Sequence, residues 1–559
     1  MNSSPYEEGS IEAPILLLGE APSTVEMKER RPFVGPAGTL LEQCLHAAGI
    51  ARAECYITNV FEDRVYKKSA GQTNLHNKNG ELLWSQGKGF QELAQEEVEA
   101  CLARIRASKA KIIVPLGAVA MALVAPDKKN ITKWRGTILK GMDGRKIVPS
   151  IHPAACLRGS YVWRYLIAAD MKRVKLESQH PEVLLPKRLL ITRPSFEEAT
   201  EALRKARSAK SVATDIEVLT GHVSCFSIAT QPSVGISIPI VGEGFRPYWS
   251  PEQEAEIWRL YGEIIEDPKI AKVNQNITFD LAFLLQRNHL VPAGLLHDPM
   301  VAHSIMNPAL PKSLGTLCSL YTREPYYKDD GDLHDNARVE EFTTYWEYNA
   351  KDAVIALECW NALEPLLEED GYRSTYDRTM ATIPALIYMM VVGYKVNIEE
   401  LRATRAEVLE KIKEAVKRLE SLTGREIITA VPKTAKAKRA AAGKLNINSP
   451  AQLVKYFYGD LKISPYLSKG RPTVDDRALA RLFRTHELQE AKALQDYRSL
   501  SKLLSTYLEV RLSSDGRLRC SYNPRGTWTG RLSSSKTVLN EGLNMQNLPS
   551  AMQNFLEGD

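Results

Sequence analysis

Short apolar runs, each closing on polar residues, alternate with stretches of helical periodicity through the first 175 residues. Pro14-Ile-Leu-Leu-Leu18 predicts a buried strand running into Gly19-Glu20-Ala-Pro22. An amphipathic helix is expected from Thr39 to Ala48, stopped by Gly49. Tyr56-Ile-Thr-Asn59 and Ile112–Leu116 read as further strands, with a helix over Glu96–Ser108 between them. A helix over Ala118–Val124, Trp134-Arg135-Gly136 and a strand over Lys146–Pro149 precede Ser150-Ile-His152-Pro153. Strands alternating with helices describe a parallel α/β sheet with polar residues collected at the strand ends. Residues 64–92, polar and rich in Lys, Asn and Gly, are expected to form a long insertion or mobile loop.

Pro181 and Pro186, set among polar residues, mark a linker around 176–190. Leu189-Leu-Ile-Thr192 then opens a second module, and Ser195-Phe-Glu-Glu198 carries a capping-box signature. Val212-Ala-Thr-Asp215-Ile-Glu217 predicts a buried strand ending in two carboxylates, and residues i and i+2 of a strand face the same side. Asn276-Ile-Thr-Phe-Asp280 supplies a third carboxylate ahead of the apolar run Leu281–Leu285. Tyr348-Asn-Ala-Lys-Asp352 supplies a fourth, with Tyr348 and Asp352 on one helix face. Asp298 reads as a helix-entry acid, and Leu314–Tyr321 as helical core. From Met380 the pattern changes. Asn397 caps a long helix with apolar positions Leu401, Val408, Ile412, Ala415, Leu419 and Leu422, stopped by Gly424. Asn448-Ser449-Pro450 and Thr473-Val-Asp-Asp476 start further helices.

A chain of 559 residues exceeds one core and predicts three or four domains. No apolar run approaches the ~20 residues of a membrane span, and no signal peptide opens the chain. The eight cysteines (44, 55, 101, 156, 225, 318, 359 and 520) form no C-x-x-C pair. That scatter argues for reduced thiols and a cytoplasmic protein, in the host cytoplasm if a phage encodes it. The net charge of +6 conceals an asymmetry. Residues 395–536 hold 29 Lys and Arg against 15 Asp and Glu, a surplus of 14 that leaves −8 for the remainder. A basic third beside an acidic remainder suits a phosphate backbone, and the loop residues Lys433, Lys436, Lys438 and Arg439 are expected to contact DNA. A group of carboxylates without Cys or His partners suits Mg²⁺ or Mn²⁺. Two such ions about 4 Å apart clamp the attacking and leaving oxygens of a phosphodiester.

The four carboxylates, in this order, resemble the three exonuclease motifs of DnaQ-like 3′–5′ proofreading domains. The resemblance implies an RNase H-like domain over 188–370 in which Asp215, Glu217, Asp280 and Asp352 hold two metal ions and Tyr348 orients the attacking water. The first module carries G-E-A-P at 19–22, P-F-V-G-P-A-G at 32–38, T-N at 58–59, L-G-x-x-A at 116–120 and H-P at 152–153. It resembles the family-4 uracil-DNA glycosylases, which implies a three-layer α/β domain over 1–178 and a flipped base read in a pocket. By that resemblance Phe33 stacks on the base, Asn59 bonds its edge, His152 stabilises charge developing on it, and Glu20 or Glu26 handles the water. The cysteines depart from the family: only Cys101 falls at a family position, and Asp63 or a neighbour replaces a second. No iron–sulfur cluster is therefore expected. Ser23 also stands where the family has Gly.

The helical, basic block over 371–520 resembles the thumb of family A DNA polymerases. Thr527-Trp-Thr-Gly-Arg531-Leu-Ser-Ser534 followed by Asn544-Met-Gln546-Asn547-Leu-Pro549 resembles their first palm motif, within a partial palm over 521–559. The resemblance implies that Arg531, Gln546 and Asn547 contact the primer–template. The acids that perform nucleotide addition come later in that family, and the two Leu-His-Asp tripeptides at 296–298 and 333–335 precede the motif. The expectation is thus a multidomain α/β protein, the N-terminal part of a bacteriophage-type family A polymerase. It would trim single-stranded 3′ ends with metal ions and grip primer–template DNA. A second polypeptide would carry the rest of the palm and the fingers. The alternatives are a stand-alone repair protein joining uracil excision to end trimming, or a non-catalytic DNA-binding subunit.

Overall fold

The computed structural model describes residues 4–67, 73–141, 143–329, 334–335, 338–339, 341–430, 442–468 and 470–557. These form two compact units: Met1–Ile387 with Thr527–Arg531, and Tyr388–Gly526 with Leu532–Asp559.

The first unit begins with β1 (Glu7–Glu8), β2 (Ile15–Gly19) and β3 (Cys55–Asn59). β2 is buried throughout, which is why it reads as an unbroken apolar run: side chains pointing to both faces meet core. Leu16 and Leu18 enter one hydrophobic cluster, Ile15 and Leu17 the other. Residues 75–90 correct the expected loop. They fold into a small antiparallel sheet, β4 (Leu75–His76), β5 (Leu82–Ser85) and β6 (Gly89–Phe90), seated on the core through Leu75, Leu83 and Trp84. β7 (Ile112–Pro115), β8 (Leu139–Lys140) and β9 (Lys146–Ile147) complete the main sheet in the order β1-β3-β2-β7-β9-β8. Its four central strands are parallel and both edge strands antiparallel. Helices on both faces give the three layers. The helix Pro36–Ala47, for example, buries Leu40, Leu41, Cys44 and Leu45 and ends before Gly49 at φ 67°.

The second sheet has the order β10 (Leu189–Ile191), β13 (Val234–Pro239), β12 (His222–Gln231), β11 (Ser211–Leu219), β14 (Ala271–Val273) and β15 (Leu296–His297). β11, β12 and β13 pair antiparallel, and the rest join in parallel. The 28-residue helix Phe342–Glu369 packs across β11, β12 and β13. Ser195 caps the helix Phe196–Ala206 with the reciprocal Glu198 bond. Asp298 caps Pro299–Met306 and also accepts the backbone N–H groups of Asn276 and Ile277, so it is a helix-entry acid. The first unit extends past residue 370, the expected end of this module. The hydroxyl of Tyr376 accepts from the backbone N–H of Asp298, and its ring stacks on Trp360.

The two sheets are fastened together. Arg135 pairs with Asp170, both buried, and donates to the Ser319 hydroxyl at 2.9 Å. Arg323 pairs with Glu177 at 2.8 Å, and Lys133 pairs with Asp329. The connecting segment 178–188 is tied along its length. Lys111 donates to the Gln179 carbonyl, Arg323 to the Leu184 carbonyl, and Arg188 pairs with Glu324 and Glu358.

In the other unit Asn397 and Gly424 bound the helix Ile398–Thr423, as the pattern predicts. It packs against helices Asp476–His486 and Gln489–Lys502 around Leu419, Leu479 and Leu494. A small antiparallel sheet joins Tyr394–Val396 to Arg517–Leu518 and Leu556–Glu557. No described helix is long and apolar enough to cross a membrane.

Candidate active sites

Asp215 and Glu217 sit one residue apart on β11, so the pleat sends both to one face. The long helix brings Asp352 to them, and carboxylate oxygens of Asp215, Glu217 and Asp352 lie within 4.8 Å of one another. Asp280, on helix Ile277–Asn288, stands outside this trio but close enough for its charge to help raise the Asp215 and Glu217 carboxyls. One of its oxygens is taken by the backbone N–H of Ile216 at 3.0 Å. Burial, reinforced by the Asp352 carboxylate, pushes the Asp215 carboxyl well above the ordinary range and Glu217 to about 8. Burial lifts Asp280 to about 7. A trio of hard-oxygen donors under mutual repulsion, two half-buried and Asp352 buried, is a set that a divalent cation relieves, so these residues fit Mg²⁺ or Mn²⁺. Among the described residues no cysteine or histidine joins such a group. All eight cysteines are buried, and burial pushes the Cys101 thiol up to about 12.

Three further residues shape this site without having been singled out in the sequence. Asn349 donates to Asp215 Oδ2 at 2.9 Å and accepts from Ser237, which fixes the Asp215 carboxylate. Tyr327 donates to Asp352 Oδ1 and Lys328 to Asp352 Oδ2, each at 2.6 Å. Lys328 also lies 4.1 Å above the Tyr348 ring. Burial opposes its charge, but the Asp352, Asp215 and Glu217 carboxylates together outweigh burial and hold the Lys328 ammonium above its ordinary range. Only Asn349 lay within a quoted motif. The Tyr326-Tyr327-Lys328 cluster was the visible signal for the other two. Lys328 and Tyr348 line a cavity of about 730 Å³.

A second cavity, of about 690 Å³, opens at the strand ends of the first sheet. Glu20, Glu26, Phe33, Asn59 and His152 all line it. Gly19 is what makes room: a Cβ there would stand 2.1 Å from Asn59 Oδ1 and 2.8 Å from the Phe33 ring. Phe33 holds φ 49°, a strained value for a bulky residue, and its ring lies 5.8 Å from that of His152. The backbone N–H of Ala154 donates to His152 Nδ1 at 3.1 Å. Nδ1 is therefore unprotonated and the neutral ring carries its proton on Nε2. Burial holds this histidine neutral, down to about 4. The two acids differ. Glu26 closes a capping box on Ser23 at 2.6 Å, whereas Glu20 is lifted by burial and lies 3.9 Å from Lys67. Lys67, Arg158 and Trp163 also line the cavity and had no signal in the motifs.

Of the expected DNA contacts, Lys433, Lys436, Lys438 and Arg439 lie outside the described residues. Gln546 donates to the Leu532 carbonyl at 2.9 Å, and the Asn547 carbonyl accepts from Tyr507. Arg531 closes a turn with Thr527.

Family comparisons divide the chain as these sites do. The uracil DNA glycosylase superfamily matches residues 6–203, 3′-5′ exonuclease residues 194–368, and DNA polymerase family A residues 403–556. A type-4 uracil-DNA glycosylase of Thermotoga maritima is 33% identical over 174 residues, covering 30% of this chain and 79% of that protein. The chain belongs to the uracil DNA glycosylase superfamily. To this glycosylase domain it joins 3′–5′ exonuclease and family A polymerase regions. The DNA polymerase of Escherichia phage T5 is 26% identical over 309 residues, 51% of this chain and 33% of that protein. That of Bacillus phage SP01 is 21% identical along 98% of the chain, covering 64% of its own length. The chain thus spans between a third and two thirds of these polymerases.

Proposed function

We propose that this protein removes nucleotides from DNA 3′ ends and excises uracil, as the proofreading and repair portion of a family A DNA polymerase. The observation that carries the first activity is the converging trio Asp215, Glu217 and Asp352, held by Asn349, Tyr327 and Lys328. With Asp280 these acids would hold Mg²⁺ or Mn²⁺, which supplies Lewis-acid activation of water and of the scissile phosphate. The chain's own residues do the positioning. Asn349 keeps Asp215 in one orientation, Lys328 offsets the charge gathered on Asp352 and the phosphate, and Tyr348 orients the attacking water. The carboxylates position and do not bond. Asp215→Ala with Glu217→Ala should lower exonuclease activity on single-stranded DNA by at least about 10³-fold, given how much metal positioning contributes. Equal activity in the double variant, or none in the wild type with either metal, sinks the reading.

In the glycosylase domain Phe33 stacks on the flipped uracil and Asn59 bonds its edge. As water bonds to the sugar C1′ and its proton passes to Glu20, the C1′–N1 electron pair leaves with the base. The His152 Nε2–H then donates to the base oxygen on which that charge gathers. Glu20 is preferred over Glu26, whose carboxylate is taken by its helix cap. We further propose that the helical block is a polymerase thumb and that residues 521–559 begin a palm. The surplus of 14 positive charges over 395–536 would track the primer–template backbone, with Arg531, Gln546 and Asn547 near its terminal pair.

A further inference from the structure

The base cavity and the cavity before the exonuclease acids adjoin, for Thr132, Ile151 and Trp163 line both. Thr132 is exposed on the short helix Ile131–Trp134, and Ile151 directly precedes His152. From this shared neck one cavity leads to Phe33, Asn59 and His152, and the other to Lys328 and Tyr348. The walls interleave rings with cations. Trp163, Tyr326 and Tyr348 contribute rings, and Lys133 and Lys328, paired with Asp329 and Asp352, contribute cations. Lys67 and Arg158 do the same at the base end. That composition is what holds a single nucleic-acid strand: charge follows the backbone and rings stack on bases of any sequence. Across the neck the Arg135–Asp170–Ser319 and Lys133–Asp329 contacts fix one wall against the other, so the separation of the two sites is set by the fold.

We infer that the two cavities form one track for a single DNA strand. When its 3′ end lies at the exonuclease acids, a nucleotide a fixed number of positions toward the 5′ side lies at the base pocket. The direction follows from the chemistry, since the end presented for trimming is the 3′ end. A uracil reaching that position is held in the pocket, and trimming slows there. The inference rests on the proposed functions of both sites and adds their coupling through the neck.

The test is a 5′-labelled single-stranded oligonucleotide carrying one 2′-fluoroarabino-uridine, whose glycosidic bond resists cleavage, at a series of positions. A thymine-only strand is the control. Digestion by the full chain with Mn²⁺ should pause at one constant uracil-to-end distance, wherever the uracil was placed. The paused product should exceed its thymine counterpart by about fivefold or more, the low end of what one stacked base contributes. Thr132→Trp fills the neck and should abolish the pause or move it to another distance, each variant's own digestion of the thymine strand being the denominator. Lys133→Glu gives a second, milder variant and should reduce the pause at least about twofold. Digestion without a pause overturns the inference, as does a pause only when uracil is the terminal residue, or a pause that survives both variants unchanged. Uracil release from a long strand tells the causes apart. A protein that releases uracil yet never pauses refutes the coupling alone, and one that neither releases uracil nor pauses takes the glycosylase reading down with it.

Discussion

The buried Arg135–Asp170 pair, whose arginine also reaches Ser319 of the second module, gives a prediction whose size can be worked out. Asp170 is fully enclosed and accepts Arg135 Nε at 2.9 Å, a second Arg135 nitrogen, and the Ser150 hydroxyl at 2.7 Å. Asp170→Asn keeps the volume but leaves the Arg135 guanidinium buried without its counter-charge. Removing one partner of a buried pair costs about 3–5 kcal/mol, against about 0–1 kcal/mol for an exposed pair. Domains of this kind are stable by only about 5–15 kcal/mol, so the change should be visible without unfolding the protein outright. Urea unfolding of the full chain, followed by tryptophan fluorescence, reads it out because Trp134 directly precedes Arg135 and Trp163 lines the adjoining cavity. With a slope of about 2 kcal/mol per molar urea, the first transition should fall by about 1.5–2.5 M. The exposed pair Lys175–Glu54 is the control, and Glu54→Gln should move the midpoint by less than about 0.5 M. Arg135→Met combined with Asp170→Leu removes both charges and should recover most of the loss, since well-packed apolar replacements of buried pairs are often neutral. A single variant within about 1 kcal/mol of the wild type, or a double variant as damaged as the single, would refute the reasoning.

Three other outcomes follow from the sites. Uracil release should fall as pH drops through a midpoint above 4.5, because burial raises the Glu20 carboxyl and its base form is lost as pH falls through that raised value; a midpoint at or below 4.5 contradicts this. His152 is neutral until about pH 4 and should add nothing between pH 5 and 8. Lys328→Met strips the acids of their neighbouring cation. The variant's melting temperature in chelator should drop, and Mn²⁺ should raise it by more than it raises the wild type's; equal shifts would show that Lys328 does not offset the acids. Gly19→Ala places a methyl against Asn59 and Phe33 and should cut uracil release by at least about tenfold, while trimming of uracil-free DNA is unchanged. Normal release in that variant would mean that the cavity is not the base pocket.

Regular features were legible because local chemistry dictates them. An apolar run such as Ile15–Leu18 has few choices but a strand buried on both faces, and Ser195, Asp298 and Asn397 announce their caps. The i, i+2 spacing of Asp215 and Glu217 likewise fixes their shared face. The remainder depended on pairings between distant residues. Lys328 reaches Asp352 across 24 positions and Arg135 reaches Ser319 across 184, and nothing local to either end encodes the meeting. The sheet at 75–90 escaped notice because only Leu75, Leu83 and Trp84 anchor it within polar sequence, leaving no sustained alternation. The backbone N–H of Ile216 donates to Asp280 across 64 positions, a pairing equally beyond local signals.

The segment between Glu177 and Leu189 has a consequence for how the glycosylase and exonuclease regions would meet one strand. Modules on a free tether encounter a shared substrate with an effective concentration that falls as the tether lengthens. Here the connection is bound at Gln179, Leu184 and Arg188, so it has no slack to explore. Recapture of a strand by the neighbouring site then does not depend on diffusion through a tethered volume. Viscosity and crowding, which alter tethered encounters, should leave the ratio of the two activities unchanged, and only substitutions along the joint should shift it.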